Sequence, residues 1–240
     1  MKKNFKSIML ALFVSFAFVL SACGGTPGQL DTMPQANIGE ETSYSIATVD
    51  QVAALETYME NETATEVNSY RLSLEMKMGD VTVMSYNSIF SVIESNYELA
   101  IKMVTDMDED GNLDTAYVYY KDGYMYGEAL GQKYKMPVEG DVASDPTFAL
   151  LFSLNLDAVL NMVKSTQIST QNLKVSSEGD ITRFALEEVG AKMYLIFDNG
   201  QLIQCAASTV ESGMETNVII ESYDETIQFP NFDEYQLFEE

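Results

Sequence analysis

The 240-residue sequence predicts an α+β fold, mostly antiparallel β, in which a curved sheet of about ten strands wraps one or two helices. Three observations support this fold class. Short segments of alternating apolar and polar residues recur along the chain, turn signals separate them, and a mid-chain segment is apolar around its whole girth. A helix of that kind needs neighbours on several sides. A sheet that curls around it supplies them.

The chain begins with a segment typical of a secretory signal. Three lysines among the first six residues precede the apolar run 8–20, which is too short to cross a bilayer as a helix of about 20 residues. The run closes on Leu-Ser-Ala-Cys, which resembles the lipobox of bacterial lipoproteins. The resemblance implies that residues 1–22 are a signal peptide and that Cys23 becomes the lipidated N-terminus. An ordinary secretory signal with an incidental cysteine is the alternative.

Composition limits the partners of the mature chain. Removal of residues 1–22 takes away three lysines and no acid, which leaves 37 acids against 10 bases and a net charge of −27. Phosphate backbones and anionic lipid surfaces repel such a protein, so nucleic acid is excluded as a partner. The apolar content of 46% is ample for a core.

The chain lacks the residues of several enzyme classes. It contains no histidine, so a Ser-His-Asp or Cys-His arrangement and histidine-bound zinc cannot exist. It also contains no tryptophan. It has neither a nucleophile elbow nor a phosphate-binding loop. Cys205 has no cysteine partner if Cys23 is acylated, and its strand-like surroundings indicate a buried core residue. The sequence therefore predicts a protein without catalytic activity.

The first elements after the signal are a tether and a helix. Residues 23–48 are rich in Gly, Pro, Thr, Gln and Asn, which predicts a flexible tether from the lipidated cysteine. A helix follows over about 49–67, with Thr48 or Asp50 as its cap and an apolar side that contains Leu55 and Met59.

The first group of strands follows this helix. Residues 70–78 alternate cleanly between apolar and polar, and short turn-bounded segments continue the pattern. The predicted strands are 70–78, 81–90, 97–103, 115–120, 124–127 and 132–136.

A second helix is predicted over 146–164, because Asp145-Pro146 is a helix-start signal and apolar residues cover more than one stripe. A second group of strands follows at 173–177, 181–189, 192–198, 201–210 and 215–223. Asn199-Gly200 favours a type I′ hairpin turn. Residues 227–230 are predicted to form a short edge segment.

This element order resembles the LolA/LppX-like group of lipoproteins over most of residues 48–235. The resemblance rests on the lipobox, a short helix, a long meander, a mid-chain helix and a second meander, with no residue-specific motif. It implies that residues 49–240 form a single half-barrel domain that holds a lipid or another hydrophobic ligand over an apolar cavity.

Two sets of residues are candidate sites. The spacing of acids and Gly111 is similar to most of an EF-hand calcium loop, although position 12 is Tyr117 and the flanks predict strands. The alternative is an acidic hairpin loop. Its candidate calcium ligands are Asp106, Asp108, Asp110, Asn112 and Asp114.

The second candidate is a ligand cavity between the first strand and the mid-chain helix. Flexible methionine side chains suit an adaptable apolar cavity, while ordinary cross-strand packing is the alternative. Tyrosines on both faces of residues 117–120 predict that some meet solvent or a partner. The candidate cavity residues are Leu72, Leu74, Met76, Met78, Phe148, Leu151, Phe152 and Val159.

The sequence thus predicts a lipid-anchored protein on the extracytoplasmic face of the cell membrane that binds a hydrophobic small molecule or lipid. It needs no cofactor, with calcium as an option at the acidic loop. The competing hypothesis is a cell-envelope protein-interaction module without a cavity, whose protein partner the sequence does not name.

Overall fold

The computed structural model describes residues 28–62, 69–93, 96–106, 111–138, 161, 163–164, 168–223 and 225–237. They contain the helix α1, Val49–Glu62, and thirteen strands in a single sheet. The strands are β1 Ser45–Ile46, β2 Ser69–Met78, β3 Val81–Ile93, β4 Asn96–Thr105, β5 Asp114–Lys121, β6 Tyr124–Ala129, β7 Gln132–Pro137, β8 Leu173–Glu178, β9 Ile181–Glu188, β10 Ala191–Asp198, β11 Gln201–Glu211, β12 Met214–Ser222 and β13 Gln236–Leu237.

The sheet joins two meanders side by side. The strand order is β1-β8-β9-β10-β11-β12-β2-β3-β4-β5-β6-β7-β13. The joint is the pairing of β12 with β2, which runs from Met214↔Met78 to Ser222↔Tyr70. All pairs are antiparallel except that of β13 with β7. The predicted fold class is confirmed, and so are the eleven predicted strands, to which two-residue edge strands are added.

The start of α1 follows its sequence signals. The backbone N–H of Gln51 donates to Oγ1 of Thr48 at 3.3 Å, and the backbone N–H of Thr48 donates to Oε1 of Gln51 at 2.9 Å. This reciprocal pair is a capping box, which satisfies N–H groups that the first helical turn leaves free. The helix was expected to reach residue 67, and it ends at Glu62 in the described residues.

The sheet is open and curved, and its two faces are covered differently. α1 lies on the face that we call concave, where Leu55 and Met59 are 0% and 3% exposed. The opposite, convex face is covered by chain segments without regular helix. The predicted mid-chain helix falls almost wholly outside the described residues. Of it, Asn161, Val163 and Lys164 are helical, and Val163 is buried in the concave core.

Residues 28–44, which we call the N-terminal strap, cross the convex face. Leu30 is 1% exposed and packs against Ile89, Ala100 and Tyr119. At its end the strap enters β1, which pairs with β8 at the sheet edge. The structure therefore corrects the predicted tether of residues 23–48 over the part from residue 28 onward. Residues 23–27 lie outside the described residues.

A row of polar side chains across the sheet holds the N-terminal strap. Cross-strand pairing aligns Ser176, Arg183, Gln204, Glu221 and Arg71 at one level of the convex face. Gln204 accepts the backbone N–H of Asn37 at 2.7 Å and donates to the carbonyl of Gln35 at 3.1 Å. These side chains satisfy strap groups that have no ladder partner, which an irregular buried segment requires.

Residues 225–235, which we call the C-terminal strap, cover the other half of the convex face. Ile227 is 5% exposed, and the ring of Phe232 stacks on that of Tyr126 with centroids 3.7 Å apart. The two straps also bind each other, since Gln29 accepts the backbone N–H of Gln228 at 2.8 Å. The prediction of an edge segment at 227–230 is wrong. The edge strand is β13, which begins six residues after Pro230.

Candidate functional site: the concave face

The concave face is one apolar cluster that spans both meanders. It takes side chains from β2 to β5 and from β8 to β12, and α1 packs against them. The alternation of each strand places these side chains on one face, because successive residues point to opposite sides of a sheet. The largest fully buried members are Tyr86, Phe184, Phe197, Leu55, Leu99, Leu173, Met193 and Leu195.

The concave face differs from the convex face in charge. The buried charged residues of the described part are Arg71, Glu128 and Arg183, and all three contact the straps of the convex face. The concave face buries hydroxyl groups rather than charges, as with Ser88, which donates to the carbonyl of Leu72 at 3.4 Å. The concave face can therefore meet apolar groups without leaving a buried charge unpaired.

Helix α1 rests on the second meander through one aromatic side chain. The ring centroid of Tyr58 lies 5.2 Å from that of Phe197 and 6.1 Å from that of Phe184. The same ring lies 3.4 Å from the position that a Cβ at Gly200 would occupy. Tyr58 thus fits over the type I′ turn, in which Asn199 and Gly200 have φ of 49° and 83°, as the sequence predicts.

The predicted cavity residues of β2 have three different environments. Leu72 and Leu74 are 7% and 4% exposed in the concave cluster, and Met76 packs against it while partly buried. Met78 lies outside the cluster, because it ends the strand beside the β2–β3 turn and is 59% exposed. The other predicted cavity residues, Phe148, Leu151, Phe152 and Val159, lie outside the described residues.

Sequence reasoning missed the second meander as part of the site. Phe184, Met193, Leu195 and Phe197 are each 0% or 1% exposed on the concave face. Their alternation in 181–198 was the available signal. It predicts strands with one buried face, but it cannot show that this face joins that of β2.

Cys205 lies in this cluster and is a core residue, as predicted. It is a free cysteine and is 3% exposed. Burial raises the pKa of its thiol to about 12, so the thiolate form is scarce at neutral pH.

Some tyrosines of β5 were expected to meet solvent or a partner, but in the structure they are buried. Tyr120 faces the concave cluster, while Tyr117 and Tyr119 face the convex side, and all three are at most 9% exposed. The C-terminal strap covers Tyr119, and Tyr117 lies beside Lys102 and beside Asp31 of the N-terminal strap. The ring of Phe229 lies 6.3 Å from that of Tyr119 in an edge contact.

The acidic loop is described in part. Asp106 accepts the backbone N–H of Gly111 at 2.9 Å, which closes the hairpin between β4 and β5. Asp108 and Asp110 lie outside the described residues, while Asn112 and Asp114 lie within them. Among the described residues, no three His, Cys, Asp or Glu side chains gather as metal ligands would. Calcium binding stays a prediction.

Cys23 and the signal segment lie outside the described residues. Within the described part, no helix has the length and apolarity that a bilayer crossing requires.

An open recess of about 610 Å³ lies at the edge of the sheet where β13 pairs with β7. Its walls come from β7, β13 and the turn before β7, and they include Tyr134 and Leu237. Lys133 and Glu234 form an ion pair there at 2.9 Å. The recess is mixed in polarity and remote from the predicted apolar cavity.

The two ends of the sheet differ in their turns. One end, which we call the apolar rim, contains the turns between β2 and β3, β4 and β5, β6 and β7, β9 and β10, and β11 and β12, so the acidic loop lies there too. Most of the exposed large hydrophobic residues of the described part lie there, and Val189 at 88% is the most exposed. They are Ile46, Val49, Met78, Val81, Leu113, Leu130, Val189 and Val210.

Among solved structures, the chain is similar to LprF from Mycobacterium bovis at 10% identity and a TM-score of 0.46, over 78% of this chain and 99% of that one. It is also similar to the S-type phycobiliprotein lyase CPES from Guillardia theta at 8% identity and a TM-score of 0.23, over 75% of this chain and 100% of that one. No protein-family model and no curated protein matches the sequence. At these identities and scores, the likeness assigns neither a family nor an activity.

Proposed function

We propose that this chain is a non-catalytic lipoprotein, anchored through Cys23 to the extracytoplasmic face of the cell membrane, which binds a lipid or another hydrophobic ligand on the concave face. The observation that carries the proposal is the separation of the two faces. The concave cluster is apolar across nine strands, whereas the buried charges belong to the convex face.

The chemistry of the concave face suits acyl chains. An acyl chain offers no hydrogen bonds, so a site for it gains by burying apolar area and loses by desolvating polar groups. Met59, Met76 and Met193 lie in or against the cluster, and their flexible thioethers adapt to guests of different shape.

The ligand enters between α1 and the sheet in this proposal. α1 is 14 residues long, so its length is about 21 Å. The sheet below it has thirteen strands, and strands lie about 4.8 Å apart. The helix alone therefore covers part of the concave face, and the predicted second helix, with Phe148 and Val159, is the other candidate wall.

Ligand extraction tests the proposal. Protein purified from its own membrane is extracted with organic solvent, the extract is examined by mass spectrometry, and the emptied protein is titrated with a fluorescent acyl probe. We expect a co-purified lipid and a blue shift of the probe. Protein that yields no lipid and leaves the probe unshifted contradicts the proposal.

A matched pair of variants places the ligand on the concave face. Met76→Gln adds a polar group on that face at a partly buried position, so the probe should bind about fivefold more weakly, which corresponds to about 1 kcal/mol. Glu75→Gln changes the adjacent side chain, which points to the convex face and binds Lys77 at 2.7 Å. It should leave probe binding unchanged. Equal effects of both substitutions on probe binding would contradict a ligand site on the concave face.

The second candidate is a cell-envelope protein-interaction module without a cavity. One observation favours it: Leu72 and Leu74 are already covered by protein. The same extraction distinguishes the two functions, because an interaction module yields no lipid and retains partner binding after Met76→Gln.

A further inference from the structure

We propose that the convex face, covered by the two straps, lies against the bilayer that holds Cys23, so that the concave face and the apolar rim point away from it. This inference rests on the lipid anchor of the proposed function. It adds an orientation, which that function leaves open.

The first argument is the length of chain between the lipid and the sheet. Gln29 is fixed by hydrogen bonds to the C-terminal strap and to the sheet, as donor to the carbonyl of Thr226 at 2.9 Å and as acceptor from Arg71 at 2.7 Å. Five peptide steps separate Cys23 from Gly28, and they span at most about 17 Å. The bilayer surface must therefore lie close to the convex face where the N-terminal strap begins.

The second argument is the distance to the apolar rim. Leu30 packs against Ile89 of β3, and Ile89 lies eight residue steps along β3 from Val81 at the rim. At about 3.3 Å per residue, this is about 26 Å along the strand. Seven peptide steps from Cys23 to Leu30 reach at most about 24 Å even when fully extended. The rim is thus a poor contact surface for the leaflet that holds the lipid.

The third argument is charge. Residues 32–39 and 226–231, the middle stretches of the straps, contain no charged side chain. The straps carry six acids and no base, and Glu41 and Glu234 are paired with Lys192 and Lys133 of the sheet. Asp31 at the start of the N-terminal strap is paired with Lys102 at 2.5 Å. Anionic headgroups therefore meet little repulsion from these stretches.

The other surfaces of the domain carry acids as well. The exposed side of α1 carries Asp50, Glu56 and Glu60, and exposed Asp80 and Glu188 lie at the apolar rim. Turning either surface to an anionic leaflet would bring like charges together. Chain length thus decides which side faces the bilayer, and the uncharged middle stretches of the straps reduce repulsion there.

Site-specific quenching tests the orientation. Single cysteines are introduced into lipidated Cys205→Ala protein at the exposed strap positions Gln35 and Gln228, and at Glu56 of α1 and Val189 of the rim. Each is labelled with a fluorophore and bound to vesicles of phosphatidylcholine and phosphatidylglycerol that carry nitroxide headgroups. Because the linker spans at most about 17 Å, we expect at least about twofold more quenching at Gln35 and Gln228 than at Glu56 and Val189.

A linker insertion is the matched control. About 20 Gly and Ser residues between Gly25 and Thr26 leave the straps intact and add a mean span of roughly 25 Å. The quenching difference should then disappear. Equal quenching at all four positions without the insertion would overturn the orientation, and strongest quenching at Val189 would assign the bilayer contact to the rim.

The mass of the N-terminal peptide separates this inference from the proposed function. If the peptide lacks lipid and the protein does not float with vesicles, the anchor fails and the orientation falls with it. If the peptide carries lipid but quenching is uniform, the orientation alone fails. Acyl-probe binding by a Cys23→Ser form reports on the ligand site independently of either result.

Discussion

Arg71 and Arg183 are the two arginines of the chain, and both are buried on the convex face. Arg71 donates to the carbonyls of Gln29 and Thr32 and to Oδ1 of Asn87. Arg183 donates to the carbonyl of Asn37 at 2.8 Å and to its Oδ1 at 3.0 Å. The planar guanidinium presents several donors in a fixed fork, so one side chain satisfies several groups of an irregular segment.

Replacing Arg71 should loosen the N-terminal strap. Arg71→Met keeps an apolar stem but removes the donors to two strap carbonyls, so the free energy of unfolding should fall by about 2–3 kcal/mol. Urea titration measures this loss, and limited proteolysis should cut within residues 28–44 sooner. Lys77→Met, at a half-buried ion pair away from the straps, is the control and should change less. Unchanged proteolysis of the Arg71 variant would contradict the assigned role.

The thiol of Cys205 should be inert in the folded protein. Burial raises its pKa to about 12, and the side chain is 3% exposed, so a thiol reagent reaches it only after unfolding. In a Cys23→Ser background, we expect iodoacetamide to label Cys205 at the rate of unfolding and rapidly in urea. Complete labelling of the native protein within minutes would show that this part of the cluster opens locally.

At the scale of elements, β9 binds its neighbours through Glu187. The carboxylate lies 2.6 Å from Nζ of Lys174 on β8 and 3.0 Å from Nζ of Lys192 on β10. The hydrogen bond from Lys174 is the main cause that holds the pKa of Glu187 below its ordinary value of 4.5, with Lys192 adding to it. The pair of bridges thus crosses three strands near the apolar rim.

The sign of the shift predicts how this contact depends on pH. A carboxyl group with a lowered folded pKa stabilises the fold above its ordinary pKa, and that contribution is lost as the pH falls through the folded value. Glu187→Gln should therefore cost about 0.5–1 kcal/mol at pH 7, since the groups are partly exposed. Urea titrations should show the difference vanish in acid. The exposed neighbour Glu188→Gln is the control, and an equal cost from it would contradict the bridge.

At the scale of the whole molecule, the chain covers both faces of its sheet with its own segments. The N-terminal strap crosses the convex face, turns the edge at β1 and continues into α1 on the concave face. The C-terminal strap covers the other half and ends in β13 beside β7. Both edges are two-residue strands, which offer little free backbone for pairing with other chains.

Truncation tests whether the N-terminal strap belongs to the domain. A chain that begins at Gly28 should unfold at the same urea concentration as one that begins at Cys23→Ser. A chain that begins at Thr48 should lose about 2–4 kcal/mol, because Leu30 is no longer buried and the contacts of Arg71 and Arg183 are gone. Equal stability of all three chains would restore the predicted tether over residues 23–48.

Much of the site could be predicted from local pattern. Leu72 and Leu74 were expected on a buried face because strand alternation is a property of a few consecutive residues. Met78 follows the same alternation but is exposed, since the strand ends there at a turn. The contribution of Phe184 and Phe197 depends on the pairing of β12 with β2, whose residues are far apart in sequence.

The sequence by itself determined the strands, the approximate start of α1, the type I′ turn at Asn199 and the core position of Cys205, because each follows from short-range periodicity, capping or turn chemistry. Only the tertiary structure decided that polar, glycine- and proline-containing residues 28–44 are part of the fold. Their stability comes from partners such as Arg71, Asn87 and Arg183 on distant strands. A segment that depends on partners so far away in sequence carries no periodicity of its own.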